Sequence, residues 1–435
     1  MRRSLAALPF VIACAGEQPP TWHQDTAPIA RAYCADCHGE GGIAPFELTE
    51  ASDYRGLAPL VRATLVERTM PPFFAARGHT ALRYDMSLSD EQLQLMLDWL
   101  DAGAPEGDPT NPAPDIELRR PGLDRYDIEL VPAEPYTPQA EPDEYRCFVL
   151  DWPEDEPTYV TGFEVLPGNM RLTHHAVAYA IPPGQVSKLA EFEAMDEGYG
   201  YSCYGSAAQT DWEPANLTEQ LVQIYLGAWT PGATGLGFPN GQRVRPGSKI
   251  VLQVHYFTLG DPGASDLTTF RLRVDPDAPQ EAWYMPWMDL RWPGGGQMLI
   301  PEGGRFTHSF EGEPVGSTNL NVFASDADLS EGMLLHSVYA HMHLLGRELD
   351  YTLIRADGSE QKLLRIENYS FDWQQEYVFD EPVEVLPGDR LRIDCTFDNS
   401  AAWRDRMGLG EPVMVDWGEG SMDEMCVAHT RVTQR

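Results

Sequence analysis

Basic residues are scarce in this chain of 435 residues. Lysine occurs only at Lys188, Lys249 and Lys362, and 31 lysines and arginines stand against 67 acidic residues, for a formal net charge of −36. Nucleic acids and anionic lipids attract proteins through positive charge. This charge balance therefore argues against DNA, RNA and anionic lipid as electrostatic partners.

Long apolar runs are also lacking. The apolar run at residues 5–12 follows Arg2 and Arg3, is too short to span a bilayer, and is typical of a secretion signal. The sequence Val-Ile-Ala-Cys14 that follows is similar to the lipidation site of bacterial lipoproteins. We expect residues 1–14 to be a lipoprotein-type signal that directs export to the periplasm or outer membrane of a bacterium. A cleaved soluble form is the alternative, and a lipid would be the only membrane attachment.

The seven cysteines divide among three expected roles. An odd number leaves at least one cysteine outside an intramolecular disulfide, and an exported chain can keep disulfides. Cys14 would carry the lipid, and Cys34 and Cys37 belong to the motif described next. The sequence allows three ways to pair the remaining four. These four are Cys147, Cys203, Cys395 and Cys426.

The segment YCADCHGEGG contains Cys34-x-x-Cys37-His38, the pattern that attaches a c-type haem. The two thiols form thioethers with the porphyrin, and the histidine ligates the iron. A redox dithiol would not need the histidine, and a zinc site would need two further ligands nearby. The next cysteine is Cys147, so we predict one covalent c-type haem.

The second axial ligand of this haem is expected some tens of residues further on. Met70 is the first candidate, because ERTMPPFFA is similar to the distal-ligand context of small bacterial cytochromes c. His79 and Met86 are the alternatives. Ligation by histidine and methionine would raise the reduction potential relative to two histidines.

The sequence LSDEQLQLMLDWLDAGAP predicts a helix. Ser89 and Gln92 have the spacing of a capping box, apolar residues recur every three or four positions, and Gly103 ends the pattern. A closing helix fits a small all-α cytochrome c domain, which we place at residues 18–105. Residues 106–124, rich in proline and acidic residues, are assigned to a linker.

The remainder of the chain predicts a mainly β fold. With 38 glycines and 36 prolines, turns are frequent, and runs such as TYVTGFEVL, HHAVAYAI, KIVLQVHYFTL, LDYTLIRA and DRLRIDCTF are alternating or rich in β-branched and aromatic residues. Short strands at regular spacing favour β-sandwich or jelly-roll domains. Because about 300 residues are too many for one sandwich, we expect two in tandem, at residues 125–279 and 280–432.

Several histidines form candidate metal-binding groups. Residues i and i+2 of a strand share a face, so His341 and His343 would present two imidazoles side by side, whereas His336 would face away. Adjacent His174 and His175 could bind one metal only at a bulge, at a strand end or through different ring nitrogens. A strand that carries histidines without a metal is the alternative in both places.

A methionine favours copper as the metal. Met425, beside Cys426, offers a thioether, a soft ligand that favours Cu(I) over Zn(II). Such a methionine is most often part of a core. Together with a converging histidine pair, it would complete an open copper site, and it argues against zinc as the alternative.

These motifs, in this order, resemble the copper type II, ascorbate-dependent monooxygenases over about residues 125–432. RLTHHAVAYA, KIVLQVHYF and VYAHMHLLGREL are similar to histidine-bearing segments of that family, and DEYRCFVL, LRIDCTFDN and MDEMC to its cysteine-bearing segments. The resemblance implies O2-dependent hydroxylation of a C–H bond of a small organic substrate. It also implies ascorbate as the reductant.

The resemblance further implies two copper ions, one in each β domain. The first would relay an electron, and the second would bind O2 and perform the hydroxylation. The implied ligands are His174, His175 and His255 for the first ion, and His341, His343 and Met425 for the second. The implied disulfides are Cys147–Cys203 and Cys395–Cys426.

Tyr339 departs from the peptide-amidating branch of this family. That branch has an arginine here, which binds the carboxylate of its substrate, and an asparagine and a tyrosine where this chain has Val427 and His429. We therefore do not expect peptide amidation.

The fused haem offers a reductant other than ascorbate. We hypothesise that the haem of His38 and Met70 passes electrons to the first copper; an external redox protein as its partner is the alternative. The competing function is that of a non-catalytic copper- and haem-binding lipoprotein for electron transfer or copper handling. The presence of all six implied copper ligands favours the enzyme.

Overall fold

The computed structural model describes most of the chain. The described residues are 18–40, 44–203, 206–209, 221–230, 233–258, 261–317, 328–418 and 420–435. The predicted signal at residues 1–14, with Cys14, lies outside them. In the described part of the chain, every helix is too short or too polar to cross a membrane.

The chain forms two compact units. The first consists of Met1–Pro71 and Ser87–Glu117, and the second of Pro72–Met86 and Leu118–Arg435. Residues 72–86 fall inside the range predicted for the cytochrome domain, yet they are part of the second unit.

The first unit is helical, as the sequence predicts. Its helices are a π-helical turn at Trp22–Thr26, α1 at Ala27–Tyr33, α2 at Ala51–Val66 and α3 at Asp90–Asp101. The capping box of α3 is confirmed, because the Ser89 hydroxyl accepts from the Gln92 amide and the Gln92 side chain accepts from the Ser89 amide. The buried rings of Trp22, Tyr54 and Trp99 contact one another in the core.

The second unit is built from four antiparallel sheets among the described strands, which confirms a mainly β fold. The first two sheets have the strand orders β1-β9-β3-β7 and β5-β2-β8-β4-β6. Their strands are β1 Ile128–Leu130, β2 Asp143–Asp151, β3 Thr158–Leu166, β4 Thr173–Ile181, β5 Tyr201–Ser202, β6 Ile224–Trp229, β7 Leu236–Val244, β8 Lys249–Phe257 and β9 Thr269–Asp275. One helix, α4 at Val186–Met195, lies between β4 and β5.

The other two sheets follow in the chain and have the orders β10-β17-β12-β15 and β11-β16-β13-β14. Their strands are β10 Ala282–Trp287, β11 Arg305–Gly312, β12 Met333–His341, β13 Gly346–Ile354, β14 Glu360–Ile366, β15 Glu376–Val385, β16 Arg390–Asp398 and β17 Val427–Gln434. Helix α5, Ala401–Met407, follows β16. The quoted β-type runs of the sequence coincide with β3, β4, β8, β13 and β16.

Strand β8 is buried on both faces because both faces are covered. Leu252 and Val254 pack in the core that the first two sheets share, while Val251 packs on the opposite face in the cluster that contains α4 and the Cys147–Cys203 disulfide. Side chains alternate along a strand. His255 therefore shares the face of Val251 and lies outside the main core.

The structure contains the two disulfides that the resemblance implies. Cys147 on β2 bonds to Cys203, just after β5. Cys395 on β16 bonds to Cys426, the residue before β17. The second bond therefore links two different sheets at the start of the strand that follows Met425.

The segment Pro72–Met86 pairs with β14 and β15, which are edge strands of the last two sheets; these two sheets form the second β region, and the first two sheets form the first. The Ala76 amide donates to the carbonyl of Arg365 over 2.8 Å. The buried ring of Phe73 packs edge-on against Tyr377, with ring centroids 5.4 Å apart. These pairings explain why the segment belongs to the β unit.

Candidate metal centres

The first imidazole group forms where β4 begins. The pairing of β4 with β8 shifts register between Thr173 and His175, and this irregularity lets two adjacent histidines turn to the same side. His255 lies directly opposite His175 on β8. The bulge at a strand end is one of the arrangements that sequence reasoning required for His174 and His175 to share a metal.

Three ring nitrogens converge in this group. The Nδ1 atom of His175 lies 3.3 Å from Nδ1 of His174 and 3.3 Å from Nδ1 of His255. Two nitrogens that each lie about 2.0 Å from one metal ion, about 110° apart, are separated by about 3.3 Å. The spacing therefore fits one ion with three imidazole ligands.

The surroundings keep these rings in the form that binds a metal. Burial, and after it the neighbouring histidines, hold the pKa of His175 well below its ordinary value. Burial also lowers the pKa of His255, although the hydrogen bond to Asp143 opposes this. Neutral imidazole is the ligand form of histidine, so both shifts favour metal binding.

Asp143 and Tyr145 orient His255. The Oδ1 atom of Asp143 lies 2.8 Å from Nε2 of His255, which places the ring proton on Nε2 and leaves the Nδ1 lone pair for a metal. The ring of Tyr145 stacks on His255 at 4.1 Å, with 4° between the planes. Sequence reasoning missed both residues. Both depend on the register of β2 against β8, which pairs Tyr145 with His255 and has no signal in the sequence.

The second imidazole group forms at the end of β12. The Nε2 atoms of His341 and His343 lie 3.1 Å apart, so the two rings are side by side as predicted. Strand β12 ends at His341, so His343 lies just beyond it, before the turn at residues 344–345.

Hydrogen bonds leave both Nε2 atoms of this group available to a metal. Nδ1 of His341 lies 2.7 Å from the side-chain oxygen of Gln374, and Nδ1 of His343 lies 3.1 Å from the Asp423 carbonyl. Both acceptors hold the ring proton on Nδ1. Burial lowers the pKa of His341, and it lowers that of His343 to about 3.

Glu424 joins this turn to the segment that carries Met425. Its carboxylate accepts the amide of His343 over 2.8 Å and that of Leu345 over 2.5 Å. Burial raises the pKa of Glu424 to about 8, against the effect of these hydrogen bonds. Met425, the next residue in the chain, is 8% exposed, so its side chain is largely buried. Two imidazoles and a thioether are a donor set that suits copper.

The sequence around the second imidazole group matches a known protein family. Residues 320–431 match the family described as copper type II ascorbate-dependent monooxygenase, C-terminal domain. Over these residues, about a quarter of the chain, the sequence is similar to that family. The match includes His341, His343 and Met425, and the first imidazole group precedes it in the chain.

Curated relatives of this copper monooxygenase family extend the similarity. Putative DBH-like monooxygenase protein 2 of Homo sapiens is 26% identical over 309 residues, which cover 63% of this chain and 53% of that protein. Dopamine beta-hydroxylase of Bos taurus is 25% identical over 329 residues, 72% of this chain and 45% of that protein. The chain spans about half the length of the curated relatives it matches.

Similarity to solved structures is weak. The structure of PNGF-II aligns with 71% of this chain and 66% of its own at 9% identity, with a TM-score of 0.25. A similarity of this size supports no statement about fold or function.

His336 and Tyr339, also on β12, lie in different places relative to the second imidazole group. His336 is buried and bonds through Nε2 to the Thr433 hydroxyl at 3.0 Å, apart from the His341–His343 pair. Tyr339 stacks near His341 at 6.3 Å, and its hydroxyl donates to the same Gln374 oxygen over 3.2 Å. A neutral phenol therefore flanks the second imidazole group.

The donors expected for a haem all lie in the helical unit. Neither Cys34 nor Cys37 forms a disulfide. Nδ1 of His38 lies 3.0 Å from the Phe46 carbonyl, which leaves Nε2 available for an iron. Met70 belongs to the same unit and is 43% exposed. This donor set fits a c-type haem. The alternative axial ligands His79 and Met86 lie in the second unit.

Proposed function

We propose that this protein is an O2-dependent copper monooxygenase that hydroxylates a C–H bond of a small organic substrate. The observation that carries the proposal is the presence of two imidazole groups with unlike donors in one unit. The proposed copper ligands are His174, His175 and His255 in the first group, and His341, His343 and Met425 in the second. Bound copper would supply one-electron redox chemistry and activation of O2.

Different residues would orient the imidazole ligands and favour one oxidation state of the metal. The hydrogen bond from His255 to Asp143 holds the ring proton away from the first ion. The bonds of His341 and His343 to Gln374 and to the Asp423 carbonyl do the same at the second. The thioether of Met425 favours the reduced ion, the state that reacts with O2. Three imidazoles would thus suit the first group to electron relay, and two imidazoles with a thioether would suit the second group to reaction with O2.

The substrate proposal follows from Tyr339. A phenol beside His341 cannot form an ion pair with a carboxylate, so a glycine-extended peptide is a poor fit. His429 lies beside Tyr339, and the ring of Tyr225 stacks on His429 at 5.9 Å. These rings support a small organic substrate that binds by aromatic contact.

Replacing Met425 with alanine is expected to remove about half of the bound copper, because the second group loses its soft ligand while the first stays intact. Metal analysis of wild-type and variant protein, with an O2-uptake screen over small substrates and ascorbate, measures this. Met422→Ala is the matched control, since Met422 is 55% exposed in the same segment and offers a thioether to the solvent. Wild-type protein without copper would contradict the proposal, and copper without O2 uptake would favour the non-catalytic copper protein.

We also propose that the N-terminal helical unit, without residues 72–86, is a cytochrome c domain of a lipoprotein, and that its haem supplies electrons to the first copper group. The motif of Cys34, Cys37 and His38, with Met70, supports the haem. Mixing protein that carries reduced haem with O2 and substrate in a stopped-flow instrument is expected to oxidise the haem as product forms. Haem that stays reduced while product accumulates would refute it as the donor, and ascorbate would then be the reductant.

A further inference from the structure

A buried arginine joins the two β regions. Arg431 on β17 is 1% exposed, although a guanidinium group keeps its charge inside a protein. Its Nε atom donates to the side-chain oxygen of Asn240 over 2.9 Å, and a terminal nitrogen donates to the Asn240 carbonyl over 2.8 Å. Asn240 lies on β7, and the guanidinium carbon is 4.2 Å from the centre of the Phe238 ring on the same strand. Arg431 therefore binds the first β region from the second.

A carboxylate of the second β region offsets the charge of Arg431. Tyr284 lies opposite Arg431 on β10, with its ring centre 5.4 Å from the guanidinium carbon. The Tyr284 hydroxyl contacts both carboxylate oxygens of Glu376, over 2.7 and 2.9 Å. Burial raises the pKa of Glu376, and hydrogen bonds from Ser337 and Tyr284, together with the charge of Arg431, oppose this rise. Such compensation matters because a buried charge without a partner is strongly destabilising.

The sheet face that carries Arg431 also carries a proposed metal ligand. Side chains alternate along a strand, so Ser337, Tyr339 and His341 of β12 share one face. Ser337 lies directly opposite Arg431 on β17, and Tyr339 lies directly opposite Glu376 on β15. Residues directly opposite one another on paired strands share a face. The face from which Arg431 binds the first β region therefore also bears His341.

We propose that Arg431 is a positioning residue that clamps the first β region onto the face bearing His341, so that the two β regions unfold as one unit. This inference goes beyond the proposed function and does not require bound copper. Arg431→Met would leave both oxygens of Asn240 without this donor, at a residue that is 2% exposed. Buried acceptors that lose their donor are costly, and separation of the regions would return them to water. Loss of Arg431 therefore favours separate unfolding of each region.

Arg404 offers a matched control between β16 and β17. It is 3% exposed and, like Arg431, donates to an asparagine side-chain oxygen, that of Asn399, over 3.1 Å. Its other nitrogens donate to the carbonyls of Leu409 over 2.7 Å and Gly410 over 3.2 Å. Arg404→Met therefore removes a similar set of hydrogen bonds, but all of these partners lie within the second β region.

Hydrogen exchange of the full chain, at one metal loading for all variants, tests the clamp. The slowest amides of a strand exchange only when its region unfolds. We expect Arg404→Met to speed this exchange equally in β8 of the first region and β13 of the second, because clamped regions unfold together. In protein that also carries Arg431→Met, we expect Arg404→Met to speed exchange in β13 while β8 keeps the rate of the Arg431→Met protein.

Two changes at Asn240 test the clamp from the first region, and they keep the test decisive if Arg431→Met does not fold. Asn240→Asp keeps a side-chain oxygen for the guanidinium, so exchange in β8 is still expected to follow Arg404→Met. Asn240→Leu removes that oxygen, and exchange in β8 is expected to become independent of Arg404→Met. A purely structural role of the position would not distinguish these two changes in this way.

Exchange in β8 that still follows Arg404→Met in the Arg431→Met protein would overturn the inference. Exchange in β8 that does not respond to Arg404→Met in otherwise wild-type protein would also overturn it, because the two regions would then unfold separately. Equal behaviour of Asn240→Asp and Asn240→Leu would exclude the guanidinium contact as the cause of coupling. Each of these outcomes leaves the proposed function intact, since metal analysis of the wild type tests copper binding separately.

Discussion

Removal of the Cys395–Cys426 disulfide is expected to lower the free energy of unfolding by about 3.7 kcal/mol, from the loop entropy that a cross-link removes from the unfolded chain. The two cysteines are 31 residues apart in sequence, and both are fully buried. The bond joins β16 to the residue before β17, strands of different sheets. It therefore also fixes the segment in which Glu424 and Met425 approach the His343 turn.

The change is best made as the double variant Cys395→Ala, Cys426→Ala, which leaves no unpaired thiol. Its unfolding in denaturant should begin at lower concentration than that of the wild type, and its second group should retain copper less well than its first. The double variant Cys147→Ala, Cys203→Ala is the matched control. It opens a loop of 56 residues and is expected to lose a similar free energy, about 4.2 kcal/mol, with the first copper affected instead. Equal copper loss from both groups in both variants would contradict this local role.

Local pattern accounts for what could be predicted of the fold. Alternation in DRLRIDCTF and the capping pattern of Ser89 and Gln92 depend on neighbours only a few residues away, and the structure has a strand and a capped helix there. The bulge at His174 and His175 was foreseen as one of three options, because two adjacent residues of a regular strand cannot share a face. Features that depend on neighbouring residues, such as this strand, this cap and this bulge, could therefore be predicted from the sequence.

Contacts between segments that are distant in the chain could not be predicted from local sequence patterns. The convergence of His341 and His343 depends on a turn that Glu424 holds by hydrogen bonds to the amides of His343 and Leu345. Asp143 reaches His255 only through the register of β2 on β8. Each role comes from tertiary pairing, and a single sequence carries no trace of it.

The segment Pro72–Met86 illustrates the same limit at the level of domains. The sequence placed it between the haem motif and the closing helix, where continuity assigns it to the helical unit. Its backbone instead pairs with β14 and β15, as the hydrogen bond from Ala76 to Arg365 shows. Backbone pairing at a sheet edge uses groups that every residue has, so composition could not reveal it.

Acid is expected to destabilise the protein through buried His336 and half-buried His429, which are not proposed metal ligands. Burial, with Arg431 second, lowers the pKa of His336 to about 4, and burial, with His341 second, lowers that of His429 to about 3. In the unfolded chain both would titrate near their ordinary value of about 6.5. Above that pH both states are neutral and stability is unaffected. Below it the unfolded chain binds protons that the folded chain does not, so stability falls until the pH reaches the folded pKa values.

At pH 5 this linkage costs roughly 2 kcal/mol for each histidine, or about 4 kcal/mol together, relative to pH 8. The double variant His336→Gln, His429→Gln should therefore lose about 4 kcal/mol less than the wild type between these two pH values. Denaturant unfolding of metal-free protein measures the difference, since the two proteins share all their carboxyl groups. His79→Gln is the control, because His79 is exposed and its removal should leave the wild-type pH dependence. A double variant whose stability falls as steeply with acid as the wild type would show that these two rings take up protons in the folded state, against the burial that surrounds them.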